Sequence, residues 1–114
     1  RLHNAFLYNN YLRDLENIVT PQIHPNVKHV FHLYVIRIEK RDELAQLLKK
    51  NSISTSIHYP TALPFLDAYK YLGHKSDDFP IAFRHMGEIL SLPMFPELSD
   101  YQIKFIVDKI KRIL

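Results

Sequence analysis

The side chains best placed to do chemistry lie in Ile53-Ser-Thr-Ser-Ile-His-Tyr-Pro60, an alternating segment that delivers a His-Tyr pair to its end and stops at a proline. A histidine at a strand end can donate or accept hydrogen bonds to sugar hydroxyls, and a tyrosine can stack and donate. That chemistry suits binding more than proton transfer. Pro60 forces Tyr59 into an extended conformation. Adjacent strand residues leave opposite faces, so only one of His58 and Tyr59 faces a given pocket unless the strand bends. Tyr59 can join the core with Ile53, Thr55 and Ile57 while His58 stays on the polar face with Ser54 and Ser56. That polar face looks toward solvent or a site. Arg37, near the end of an earlier strand, is either a ligand contact or a structural ion-pair partner.

Other candidates fall away on inspection. His24, His29 and His32 suggest a metal site, but positions 29 and 32 differ by an odd number, so strand geometry sends them to opposite faces. No carboxylate sits beside them at ligand spacing. His74 and His85 are isolated and read as surface or helix-flank residues. A Schiff-base lysine needs burial or a nearby cation to lower its pKa. Lys28, Lys49, Lys50, Lys70, Lys104 and Lys109 fall at strand edges or on polar helix faces, so no catalytic lysine is expected. Gly73 and Gly87 are the only glycines, which excludes a glycine-rich phosphate loop.

The elements that must position these residues follow from periodicity. Residues 3–18 read as a helix, with Tyr8, Leu12, Leu15 and Val19 at three- and four-residue spacing. The two prolines between Thr20 and Asn26 mark a connector. His29 to Glu39 reads as a strand, with Phe31, Leu33 and Val35 on one face and Val30, Tyr34 and Ile36 on the other, hence central and covered on both sides. Arg41 to Lys50 is a helix burying Leu44, Ala45, Leu47 and Leu48, ended by Asn51 in a left-handed conformation. Ile53 to Tyr59 is the second strand. Pro64 opens a short helix that closes at Gly73. Pro80 opens another, with Phe83, Met86, Ile89 and Leu90 inward, leading into a third strand from Leu90 to Met94. Ser99 and Gln102 form a capping box for a last helix that buries Ile103, Ile106, Val107 and Ile110. The order α-β-α-β-α-α-β-α predicts an α/β (α+β) fold, a small three-stranded or larger mixed sheet packed by about five helices.

The 114 residues suit a single domain with one core. Apolar residues make up 46%, with seven Phe and seven Tyr, which predicts folding rather than disorder. Cysteine is absent, which excludes disulfides and thiolate chemistry and fits a reducing cytoplasm. No apolar run approaches the ~18 residues of a membrane span, and no signal-peptide pattern opens the chain. It begins at Arg1 without Met, as expected of a segment cut from something longer. The formal net charge is +3, but acidic and basic residues alternate, as in Glu39-Lys-Arg-Asp-Glu43. The basic run Lys109-Ile-Lys-Arg112 fits the outer face of a terminal helix, where it suits the helix dipole. Nucleic acid is therefore not an expected partner.

Five segments in order, Phe31-His-Leu-Tyr-Val-Ile-Arg37, Arg41-Asp-Glu-Leu44, Ile57-His-Tyr-Pro60, Asp78-Phe-Pro80 and Leu90-Ser-Leu-Pro93, resemble the C-terminal domain of the DegT/DnrJ/EryC1/StrS sugar aminotransferases. The resemblance implies that residues 1–114 are the small domain of a longer enzyme, with residues 1–19 leading in from the large domain. It implies pyridoxal phosphate held mainly outside this chain, as a Schiff base with a lysine of the large domain, and a homodimer that completes the site. It implies glutamate as amino donor and a nucleotide-linked keto-sugar as acceptor, in cytoplasmic polysaccharide (lipopolysaccharide) or deoxyaminosugar biosynthesis. On that resemblance His58 and Tyr59 line the substrate side of the cleft, and Arg37 is a further candidate for contacting substrate or the large domain. Ser52 and Ser54 stand where the family commonly has glycine. Ala62-Leu-Pro-Phe-Leu66 lacks the histidine of the usual Pro-Leu-His-Leu-like segment. The alternative from another class is a stand-alone, non-catalytic α/β binding or interaction module.

Overall fold

Helix α1 (Leu2–Leu12) begins the chain, and the computed structural model describes all residues 1–114. Strand β1 (Tyr34–Arg37), helix α2 (Arg41–Lys50), helix α3 (Pro80–Glu88), strand β2 (Ile89–Leu92) and helix α4 (Asp100–Ile113) follow. Three short 3-10 turns, Leu63–Phe65, Asp67–Leu72 and Ser76–Asp78, lie between α2 and α3. No helix is long and apolar enough to cross a membrane.

β1 and β2 pair antiparallel, with Tyr34 opposite Leu92 and Ile36 opposite Leu90. Alternation puts these four side chains on one face, where they are buried with Tyr8 and Leu12 of α1, Leu44 and Leu48 of α2, and Ile103, Ile106, Val107 and Ile110 of α4. The predicted mixed architecture is therefore present. Each edge of the strand pair is extended by one bridge, Val19 to Arg37 on the β1 side and Ser56 to Ser91 on the β2 side. The sheet itself has two strands, so β1, expected to be central and covered on both faces, has only the Val19 bridge on its outer side, and its second face, with Val35 and Arg37, is only partly buried.

The predicted middle strand, Ile53 to Tyr59, shrinks to the single bridge at Ser56 for a legible reason. Continuing its register would pair Ser54 with Pro93 and His58 with Ile89. Pro93 has no N–H to donate. At the other end the Ile89 carbonyl is already taken by Arg41 Nη1, at 3.0 Å. Arg41 is itself buried, with Asp42 2.6 Å from its Nε in an ion pair that is not an aligned hydrogen bond.

The other departures are equally local. The first strand starts at Tyr34 rather than His29, because Phe31 adopts φ +47° and breaks the alternation. Phe31, expected opposite Tyr34, swings into the core at 1% exposure, while Val30 is left 68% exposed. Arg1 holds this corner, its Nη1 donating to the carbonyls of Phe31 (3.1 Å) and His32 (2.7 Å). The Phe31 N–H donates to His29 Nδ1 at 2.9 Å. α1 stops at Leu12, and turns at Leu15 and Ile18 lead Val19 to the sheet edge. Asn51 stays at φ −94°, and the left-handed residue after α2 is Ser52, at φ +61°. The Pro64 to Gly73 segment is 3-10 rather than α-helical, and Gly73 closes it at φ +68°. The Ser99–Gln102 capping box forms as expected, with Ser99 N–H donating to Gln102 Oε1 at 2.9 Å.

Candidate functional site

The sheet has a second face, and the groups that can do chemistry collect there. Leu90 and Leu92 point into the core, so Ser91 between them points away from it. Ser91 nevertheless has only 4% of its surface exposed. Its Oγ lies 2.9 Å from His58 Nδ1. His58 therefore sits on the polar face with Ser56, as the alternation predicts, and its ring is anchored to β2. The Tyr59 ring meets it edge-on at 5.9 Å and is 74% exposed, so it does not join the core.

Tyr59 borders a groove of about 630 Å³ whose walls include Ala62, Leu63 and Leu66 in and beside the first 3-10 turn and Ala82, His85, Met86 and Ile89 from α3 and its end. Seven of its ten lining residues are hydrophobic, so it suits an apolar or aromatic ligand part better than a bare phosphate. The two predicted residues thus divide the work: His58 is tied to the sheet and Tyr59 frames the groove.

Arg37 stands on the same face at the end of β1. Its Nη1 donates to His85 Nε2 at 2.7 Å and reaches Glu88 Oε2 at 3.4 Å. Arg84 Nε lies 3.5 Å from Glu88 Oε1. Burial, then the cations of Arg37 and Arg84, hold His85 below the ordinary histidine range, while Glu88 pulls the other way. A neutral ring with a free Nε2 lone pair is what the Arg37 bond requires. Arg37 therefore makes the ion pair that sequence reasoning offered as an alternative. It also borders a second, polar cavity of about 520 Å³ with Glu16, Glu39, Lys40 and Arg84.

His85 is the residue that sequence reasoning missed, having been set aside as isolated. The signal was present in α3. Ala82, His85, Met86 and Ile89 have i, i+3, i+4, i+7 spacing, and this is the partly buried stripe. Phe83, expected inward, lies off it and packs edge-on against Phe65 at 5.4 Å.

Every lysine is exposed except Lys109, which is partly buried and whose Nζ lies over the Phe105 ring, 5.3 Å from its centroid. A Cβ added at Gly73 or Gly87 would meet nothing within 4 Å, so neither glycine marks a close backbone cradle.

The molecule is thus an α+β lobe with His58, Ser91 and Arg37 on one sheet face and an apolar groove beside them. Residues 1–111 match the DegT/DnrJ/EryC1/StrS aminotransferase family, and the chain belongs to it. It is 44% identical over 93 residues to a pleiotropic regulatory protein of Geobacillus stearothermophilus, covering 82% of this chain and 25% of that protein. It is 31% identical over 104 residues to the dTDP-3-amino-3,4,6-trideoxy-alpha-D-glucose transaminase of Micromonospora megalomicea subsp. nigra, covering 90% of this chain and 28% of that enzyme. The X-ray structure of S. venezuelae DesV, in complex with a ketimine intermediate, superposes with a TM-score of 0.92 at 31% identity, over 97% of this chain and 30% of DesV. The chain thus spans about a quarter to a third of the length of the relatives it matches.

Proposed function

We propose that this chain is the C-terminal, substrate-closing and dimer-supporting domain of a pyridoxal-phosphate-dependent aminotransferase. Its acceptor is a nucleotide-linked keto-sugar, its donor is glutamate, and its setting is cytoplasmic polysaccharide or deoxyaminosugar biosynthesis. The observation that carries this reading is the family match across nearly the whole chain, joined to a sheet face on which His58 lies beside an apolar groove bordered by Tyr59. The cofactor, whose role is to act as electron sink for amino transfer, is then held by the large domain that precedes this one. The present residues bind and orient: His58 offers a ring nitrogen to the substrate, Tyr59 offers an exposed ring at the mouth of the groove, and Arg37 holds α3 to the sheet. Family membership favours this reading over a self-standing module.

The test is an absorption spectrum of the full-length gene product. A bound-cofactor band in the visible range that disappears on adding glutamate and returns with a nucleotide-linked keto-sugar is expected. A full-length product that binds no pyridoxal phosphate, or binds it without responding to glutamate, would overturn the proposal.

A further inference from the structure

We infer that Ser91 is a positioning residue for His58 and that it fixes which ring nitrogen carries the proton. The inference rests on the reading above, in which His58 faces the substrate. Ser91 is a hydroxyl on an interior strand, almost wholly removed from water, and its Oγ makes one side-chain hydrogen bond, to His58 Nδ1 at 2.9 Å. Its backbone N–H and carbonyl are both spent on Ser56, at 2.8 and 3.2 Å.

A bond between a hydroxyl and an imidazole nitrogen can run either way, and burial decides between the two. If Nδ1 carried the proton and donated to Oγ, the serine hydrogen would be left in a dry site without an acceptor, which is costly. If the hydroxyl donates to Nδ1, that hydrogen is paired and the neutral ring must carry its proton on Nε2. His58 then turns an N–H donor outward, toward an acceptor oxygen such as a sugar hydroxyl, carbonyl or phosphate oxygen. It does not offer a basic lone pair there. Ser91 cannot wander, because it is pinned between β1 and the Ser56 bridge, with Val35 opposite it across the strand pair. The ring inherits that fixity, which is how a partner one step removed from the ligand orients the group that touches it.

The experiment uses the full-length enzyme with ¹⁵N-labelled histidine, with the His58 ring signals assigned by their loss in His58→Ala. The nitrogen chemical shifts distinguish the two neutral tautomers. The expected result is protonated Nε2 in the parent protein, and a mixture of tautomers in Ser91→Ala. In steady-state kinetics Ser91→Ala should raise KM for the keto-sugar about fivefold, the effect of one neutral hydrogen bond, with kcat little changed. In a His58→Ala background the same substitution should have no further effect. A parent ring protonated at Nδ1, or a Ser91→Ala penalty that persists undiminished without the histidine, would overturn the inference while leaving His58 in the site. His58→Ala with unchanged KM and kcat would instead remove His58 from substrate contact, a failure of the underlying reading that the tautomer measurement separates from the first.

Discussion

Replacing Tyr8 by phenylalanine tests whether α1 is docked as an integral part of the core. Tyr8 is fully buried, its ring stacked on that of Tyr34 at 4.7 Å with an interplanar angle of 25°. Its hydroxyl donates to the Pro93 carbonyl at 2.9 Å. Burial, and then the neighbouring Tyr34 hydroxyl, push its pKa well above the usual phenol range, so the group stays a neutral donor at any working pH. Tyr8→Phe keeps the stack and deletes only the donor, leaving the Pro93 carbonyl unpaired at a cost of about 1–3 kcal/mol. Tyr34→Phe makes a useful control. The Tyr34 hydroxyl donates to Asn9 Oδ1 at 2.6 Å, and Asn9 is a side chain that can turn to water, so the cost should fall nearer ~1 kcal/mol. Tyr8→Ala removes the whole ring and should cost ~3–5 kcal/mol in addition, a large share of the ~5–15 kcal/mol typical of a domain. Urea unfolding of the purified chain reads all three, with a midpoint shift on the order of 1 M expected for Tyr8→Phe at unchanged slope. Equal and negligible shifts for Tyr8→Phe and Tyr8→Ala would show that α1 does not hold the Leu92-Pro93 segment in the way described.

Two further substitutions probe the local chemistry. Arg37→Met removes the cation hydrogen-bonded to His85, so the His85 pKa, followed by NMR titration, should rise toward its ordinary value without fully reaching it, because burial and Arg84 still act. The linkage sign follows: above the unfolded value near 6.5 the ring is neutral in both states, and as pH falls below it the unfolded chain takes the proton first. Stability therefore drops with pH until the lower folded value is passed, and the variant should show a smaller drop; an unaltered His85 titration would contradict the Arg37 contact. Ser52→Gly relieves a non-glycine residue at φ +61° and should stabilise the chain by ~1 kcal/mol in thermal unfolding, since glycine alone enters that region without a Cβ penalty. A destabilised Ser52→Gly variant would mean that the left-handed turn is not present.

Much of this architecture was legible because local signals and tertiary packing agree. The capping box at Ser99, the proline at the start of α3 and the apolar stripe of α4 are determined within a few residues, and each forms where expected. What the pattern misjudged was decided by groups distant in the chain. Phe31 has the composition of a strand residue, yet Arg1 claims its carbonyl from thirty positions away and the ring enters the core from the wrong parity. The Ile53 to Tyr59 segment alternates as a strand should, yet it lacks a full partner because Pro93 cannot donate and Arg41 occupies the Ile89 carbonyl. The same two obstacles shape the site. A segment paired throughout would commit the His58 backbone to β2; here the side chain makes the contact instead, through Ser91, and Tyr59 is left at the mouth of the groove. The polar alternation of Ser54, Ser56 and His58 places His58 against Ser91 on the sheet face away from the core. The identity of its anchor, and the arrival of His85 beside Arg37, depend on which face of β2 and α3 the fold turns toward it, which no spacing within residues 53–60 encodes.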